Sequence, residues 1–295
     1  MTINEQMIKL KNSIELNVHY QNDHDTTVLF LHFSGGTLHM WNGVIPLFEK
    51  EYSILAPDLR GQGKSNKPLS GYHIDDMAND LYLLLQELEI SNCHVVGSSM
   101  GAEVGLSLAA SHPEMVLSLV CEGALFNEFG EFGLFSGTDD EVELEKKNRC
   151  QQLAERKLPT YQNKLDYIKE MRESLEKENL WNEYFLSYFE NFLEVTEEGL
   201  FTSHYKNFVR TEYIQKYWEV RFDEYYKKVD CPILFLPSEE ECQNEKIMDS
   251  MNFFASLVKS HDIVQIKDSL HAFVWMQQPQ IAGEVVKRFI DKNNG

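Results

Sequence analysis

Basic residues are scarce in this chain of 295 residues, in which 27 lysines and arginines face 47 aspartates and glutamates, for a net charge of −20. So acidic a surface repels the phosphate backbone of nucleic acids and the headgroups of anionic lipids. The sequence also lacks any apolar run close to the roughly 20 residues that a membrane-spanning helix requires. We therefore expect neither a nucleic acid nor a membrane as a partner, whereas small molecules remain compatible with this charge.

Cysteine is also rare, with five residues and no C-x-x-C pair. An odd number of widely spaced cysteines argues against a disulfide framework and against a zinc site. Residues 1–11 contain no apolar core of the kind found in signal peptides. These features predict a reducing, cytoplasmic compartment, and no sequence motif calls for a metal ion or an organic cofactor.

What the sequence does contain is a regular alternation of strand and helix patterns. Residues 28–32 form a nearly continuous apolar run, which is typical of a strand buried on both faces. Residues 74–89 carry apolar side chains at helical spacing, and a predicted strand at 93–97 leads into a predicted helix at 100–111. This order predicts an α/β fold with a mostly parallel sheet flanked by helices.

The alternation stops in the middle of the chain. Residues 124–226 show long helical patterns and no convincing strand, and they hold 21 of the 35 aromatic residues. Such aromatics either pack on the sheet or line an apolar cavity. We predict a core domain formed by residues 1–123 and 227–295, interrupted by an all-helical cap at residues 124–226.

The strongest chemical signal is the sequence Gly97-Ser98-Ser99-Met100-Gly101. It has the form G-x-S-x-G and lies between a predicted strand and a predicted helix, the context in which this motif exposes a nucleophilic serine. Ser99, and not Ser98, is therefore the candidate nucleophile. A serine needs an adjacent base, and His271, in the loop after the last predicted strand, is the best placed of the ten histidines.

Four segments resemble the α/β-hydrolase-fold serine hydrolases, namely residues 32–36, 56–65, 96–102 and 269–279. The resemblance implies an order of nucleophile, acid and base along the chain, and a variable cap over the site. It also implies an oxyanion hole formed by the backbone N–H groups of Met100 and Ser34, with Phe33 in place of Ser34 if the loop is shifted by one residue. The family usually has glycine where Phe33 stands in this chain.

The carboxylate residue that would orient His271 is the point at which this sequence departs from the family pattern. The family's usual aspartate position falls on Glu241, which can also orient an imidazole. Glu122, at the end of another predicted strand, is the alternative, because some members of this fold take the acid from that strand end. We favour Glu241.

The resulting hypothesis is a serine hydrolase that cleaves a small to medium carboxylic ester through an acyl-enzyme, with a neutral, partly apolar small molecule as substrate. A ligand receptor or signalling protein with slow hydrolysis is one alternative, and a carbon–carbon bond hydrolase or lyase using the same triad is another. The candidate pocket residues are Phe33, His39, Trp41, Phe126, Trp181 and Trp218.

Overall fold

The computed structural model describes residues 4–294. Its strands are β1 (Glu5–Lys9), β2 (Glu15–Gln21), β3 (Thr27–Leu31), β4 (Ser53–Pro57), β5 (Cys93–Ser98), β6 (Val116–Glu122), β7 (Thr160–Tyr161), β8 (Leu193–Val195), β9 (Phe201–Ser203), β10 (Ile233–Phe235) and β11 (His261–Ile263). Its helices are α1 (Ile74–Glu87), α2 (Met100–Ser111), α3 (Asp139–Glu155), α4 (Lys164–Lys177), α5 (Glu183–Glu190), α6 (Asn207–Tyr217), α7 (Phe222–Tyr226), α8 (Glu239–Cys242), α9 (Glu245–Leu257), α10 (Val274–Gln277) and α11 (Pro279–Lys292).

Eight strands form the central sheet, in the order β1-β2-β4-β3-β5-β6-β10-β11. The pairs β1–β2 and β2–β4 are antiparallel, and every other neighbouring pair is parallel. This confirms the predicted mostly parallel sheet. Because parallel strands all end at the same edge, β3, β5, β6 and β10 bring the loops that follow them together, which is where ligands bind in open α/β sheets.

The apolar runs of the sequence are explained by the two cores that lie on either face of the sheet. Leu29 and Leu31 pack into one core with helices α1 and α2, whereas Val28 and Phe30 pack into the other with α11. Successive side chains of a strand point to opposite faces. A strand covered by helices on both faces is therefore apolar at every position.

The chain between β6 and β10 forms an insertion made of α3 to α7 and a second, three-stranded sheet in the order β7-β9-β8. The expectation of an all-helical cap is therefore wrong in this respect. The three strands have only two or three residues each, too few for an alternating pattern to stand out in the sequence. The division into a core and a cap at residues 123/124 and 226/227 stays a prediction.

No helix within residues 4–294 combines the length and the apolar character that crossing a membrane would require. All five cysteines are free thiols, and Cys93, Cys121 and Cys231 are buried.

Candidate active site

Ser99 lies at the turn between β5 and α2, with φ of 50° and ψ of −119°. A serine in this backbone conformation is strained, and such strain persists only where the surroundings fix it. The Ser99 N–H donates a hydrogen bond to the Glu122 carbonyl. A side chain at Gly101 would clash with the Leu31 carbonyl, so glycine is needed there for α2 to pack against the end of β3.

His271 lies beside this serine. Its Nε2 is 3.0 Å from Ser99 Oγ, within hydrogen-bond distance. The loop that carries His271 joins β11 to α10, and Ala272 in the same loop has a positive φ of 63°. The structure thus brings together the nucleophile and the base that the sequence predicts, across 172 residues of chain.

Both candidate acids face the other nitrogen of the ring. The Nδ1 of His271 is 3.1 Å from Glu122 Oε1 and 3.1 Å from Glu241 Oε1. Neither contact has the direction of a regular hydrogen bond. By sequence these two glutamates are alternatives for one role, whereas the structure places both of them at the same atom.

The two carboxylates are held differently. Glu122 ends β6, is 1 % exposed, and accepts hydrogen bonds from Ser98 Oγ at 2.6 Å, Ala272 N at 2.7 Å and Trp275 Nε1 at 3.2 Å. Glu241 belongs to the short helix α8, where its second oxygen accepts a hydrogen bond from Ser238 N at 2.8 Å in a capping box. The contact of Ser98 with Glu122 joins residues 24 positions apart and could not be predicted from the motif.

The charges of this cluster act on its acid–base chemistry. Burial by itself would lower the pKa of His271, but the negative charges of Glu122 and Glu241 raise that pKa well above its usual value. Burial would raise the pKa of Glu241, yet the contact with the positively charged His271 ring and the hydrogen bonds from Ser238 lower that pKa. The arrangement therefore stabilises the imidazolium form of His271.

Glu122, Glu241 and His271 each offer one ligand atom, and these atoms lie within 4.8 Å of one another. A metal ion fits this set poorly. The oxygens of Glu122 already accept three hydrogen bonds from Ser98, Ala272 and Trp275, which take three of the roughly four lone-pair sites of its carboxylate.

The oxyanion hole that the sequence predicts from Met100 and Ser34 stays a prediction, and the structure shows which elements carry these two residues. Met100 is the first residue of α2, and the first N–H groups of a helix have no acceptor within the helix. Ser34 follows β3, and its hydroxyl is 2.7 Å from the hydroxyl of Tyr205. The loop is anchored by buried His32, whose Nε2 accepts a hydrogen bond from Leu59 N at 2.9 Å while its Nδ1 donates to the Phe33 carbonyl at 2.8 Å.

A cavity of about 840 Å³ opens over Ser99 and His271. It is bounded by β-strand ends of the core and by α3 and α6 of the insertion, and its lining includes Ser34, Phe126, Tyr213, Trp218 and Glu241. Glu103 also lines it and accepts a hydrogen bond from Tyr213 Oη at 2.8 Å. Burial raises the pKa of Glu103 to about 7, so this side chain exchanges a proton near neutrality.

A second cavity of about 570 Å³ shares Ser34, Arg156 and Arg210 with the first. Aromatic side chains dominate its wall, among them Phe33, Tyr167, Phe185, Tyr188, Phe189, Phe192 and Phe273. The aromatic residues of the insertion therefore line a cavity as well as filling space between helices.

The six predicted pocket residues fall into three groups. Phe126 and Trp218 line the cavity that contains Ser99, and Phe33 lines the aromatic cavity. The prediction is wrong for the remaining three, which line neither cavity. Trp41 is fully buried against Phe30 and Trp275, His39 is buried beside Glu5 at 3.2 Å, and Trp181 stacks on Phe189. Their large apolar or aromatic surfaces are used for packing.

Curated relatives match part of this chain. A fluoroacetate dehalogenase from Burkholderia sp is 39% identical over 97 residues, which are 31% of this chain and 32% of the relative. The acetyltransferase component of an acetoin cleaving system from Cupriavidus necator is 39% identical over 93 residues, 32% of this chain and 25% of the relative. Matches to these curated relatives thus span about a third of their length or less.

Solved structures match over nearly the whole chain. E-2-(acetamidomethylene)succinate hydrolase has a TM-score of 0.77 at 18% identity, covering 98% of this chain and 100% of that one. An enol-lactonase from Burkholderia xenovorans has a TM-score of 0.66 at 16% identity, covering 97% and 100%. At such identities the likeness concerns the fold alone. The family model for the alpha/beta hydrolase fold matches residues 26–275, and the chain belongs to the α/β-hydrolase family.

Proposed function

We propose that this hydrolase cleaves a carboxylic ester through an acyl-enzyme in which Ser99 is the nucleophile and His271 the general base. The observation that carries the proposal is the 3.0 Å contact between His271 Nε2 and Ser99 Oγ at a strained strand-to-helix turn. In this geometry Nε2 can take the serine proton as Oγ attacks the carbonyl carbon.

The remaining steps use groups that surround this pair. The backbone N–H groups of Met100 and Ser34 stabilise the tetrahedral oxyanion, as donors preorganised at a helix start and a strand end do in other acyl-transfer enzymes. His271 then gives its proton to the leaving alcohol. Water enters the cavity and, with His271 again as base, hydrolyses the acyl-enzyme.

We propose that Glu122 and Glu241 share the role of the acid. Each lies 3.1 Å from His271 Nδ1, so each can stabilise the imidazolium that forms when the serine proton is transferred. Glu122 also accepts three other hydrogen bonds, which fix its position, while Glu241 is fixed by the cap of α8. We further infer a cytoplasmic location, which five free thiols support.

A turnover assay tests the proposal. The wild-type protein is mixed with p-nitrophenyl butyrate, and release of p-nitrophenol is followed over many equivalents of enzyme. We expect a sustained steady state that is abolished in Ser99→Ala. A single equivalent of product without further turnover would instead support the receptor alternative, and no product from an ester, thioester or amide panel would overturn the proposed activity.

A further inference from the structure

Three arginines line the cavity that contains Ser99, and they differ in whether they form ion pairs with carboxylates. Arg149 forms ion pairs with Glu128 and, at 2.6 Å, with Glu145. Arg156 and Arg210 have no carboxylate within 4.0 Å among residues 4–294. Neither guanidinium therefore has a direct ion-pair partner in this part of the chain, although Glu103, Glu128, Glu155 and Glu241 also line the cavity.

The lack of partners extends to individual N–H groups. Arg156 Nη1 and Arg210 Nε are both buried and find no hydrogen-bond acceptor within the described part of the chain. A buried donor without an acceptor is destabilising, and here this concerns one nitrogen of each side chain, since both arginines are half-buried as a whole. A protein that places two such groups at one cavity needs a reason for doing so.

The two guanidinium groups lie close enough to influence each other. Burial lowers the pKa of Arg156, and the positive charge of Arg210 lowers it further. Both side chains line the first and the second cavity, as does Ser34. The arginine pair therefore marks the junction between the cavity of the nucleophile and the aromatic cavity.

Two interactions within the folded structure stabilise the charges of these arginines, but only in part. Arg156 follows the last turn of α3, where a cation suits the negative end of the helix dipole. The guanidinium carbon of Arg210 lies 4.8 Å from the centre of the Tyr205 ring, a cation–π contact. Neither interaction supplies an acceptor for the buried N–H groups of the two side chains.

We propose that Arg156 and Arg210 together bind a carboxylate group of the substrate, so that the ester cleaved at Ser99 carries a negative charge. The planar N–H fork of arginine matches the two oxygens of a carboxylate, and two forks at one junction supply both the charge and the missing acceptors. The proposal deepens the proposed function and rests on it. It replaces the expectation of a neutral substrate with that of an anionic one.

The proposal also places the other parts of the substrate in the two cavities. With the carboxylate at the junction, the ester carbonyl reaches Ser99 in the first cavity, and any apolar portion extends into the aromatic cavity beside Phe189 and Phe192. Arg149 supplies no unpaired positive charge to the cavity, because it forms ion pairs with both Glu128 and Glu145.

A binding experiment tests the proposal without requiring turnover. Ser99→Ala is titrated calorimetrically with the monomethyl esters of succinate, glutarate and adipate, and with the corresponding dimethyl esters, which lack the charge. We expect at least one monoester to bind tenfold or more tightly than its dimethyl counterpart. If no monoester of the three shows a preference, the proposal is wrong.

Variants of the two arginines test whether these residues cause the preference for the monoester. In the Ser99→Ala background, Arg210→Gln and Arg156→Gln should each weaken monoester binding tenfold or more and leave diester binding unchanged. Arg210→Lys, which keeps the charge without the fork, should give an intermediate affinity. The matched control is Arg172→Gln, an arginine of α4 that is paired with Glu176 and exposed. A monoester preference that survives both glutamine variants would overturn the assignment.

The experiments distinguish a failure of the esterase proposal from a failure of the anion-site proposal. Turnover of p-nitrophenyl butyrate by the wild type with no monoester preference in Ser99→Ala would keep the esterase proposal and overturn the anion site. Tight, arginine-dependent monoester binding in a protein that turns over no ester would do the reverse. Circular dichroism of each variant shows whether the insertion is still folded.

Discussion

The end of the central sheet and the inserted segment differ in whether their charged side chains are paired. At the sheet edge, the ring of His271 lies between Ser99 and two glutamates, and each charged group faces one of opposite sign. In the insertion, Arg156 and Arg210 line the same cavity, and neither forms a direct ion pair within residues 4–294. The first region is preorganised for proton transfer, whereas the second is complete only when a ligand brings the missing charge.

The largest effect should come from removing the nucleophile at the sheet edge. Ser99→Ala should lower kcat by about 10⁶, as loss of a catalytic serine does in a related type of site, and should leave the fold intact. A fluorophosphonate probe should label the wild type with one equivalent and leave Ser99→Ala unlabelled. Ser98→Ala should still be labelled, since Ser98 Oγ faces Glu122 and not the cavity. Labelling at Ser98 would contradict this picture.

The second effect tests whether the two carboxylates are redundant. Because both lie 3.1 Å from His271 Nδ1, Glu122→Gln and Glu241→Gln should each cost roughly tenfold in kcat, the remaining glutamate still orienting the ring. The double variant should lose about 10⁴, the cost of removing the acid of a triad. The control is Glu240→Gln, an exposed neighbour in α8. A full loss in one single variant and none in the other would assign the role to one glutamate.

The third prediction concerns pH. His271 acts as a base only when neutral, and the two carboxylates raise its pKa well above the usual value. Activity of the wild type should therefore rise with pH through this raised pKa. Removing one negative charge in Glu122→Gln lowers the pKa of His271, so the acid limb of the kcat/KM profile should move to lower pH. A limb that stays in place would show that Glu122 does not act on His271.

The smallest effect is expected in the cap. Trp218→Ala removes apolar surface from the wall of the cavity above Ser99 without touching the reacting groups. We expect KM to rise about threefold to tenfold, consistent with the loss of roughly 1 kcal/mol of apolar contact, and kcat to stay within twofold. Trp181→Ala is the matched control, because Trp181 lines neither cavity and stacks on Phe189. Steady-state kinetics with p-nitrophenyl butyrate measure both variants.

Several parts of the structure could be read directly from the sequence. The helix predicted at residues 100–111 is observed as Met100–Ser111, because a glycine-flanked turn defines its start and His112-Pro113 its end. The strand predicted at 28–32 is observed as Thr27–Leu31. In contrast, the helical pattern of residues 180–194 corresponds to a shorter helix, Glu183–Glu190, because Leu193–Val195 pairs with Phe201–Ser203. Local patterns do not contain this contact.

The sequence by itself determined the sheet, the strand-to-helix turn at Ser99 and the order of Ser99 and His271, because each depends on local patterns: apolar runs, glycines at fixed offsets and loops that follow strands. Only the tertiary structure decided that Glu122 and Glu241 meet at one nitrogen, and that Arg156 and Arg210 share a cavity without partners. These residues lie on separate elements, and which of them become neighbours is set by packing across the sheet edge and the insertion rather than by spacing along the chain.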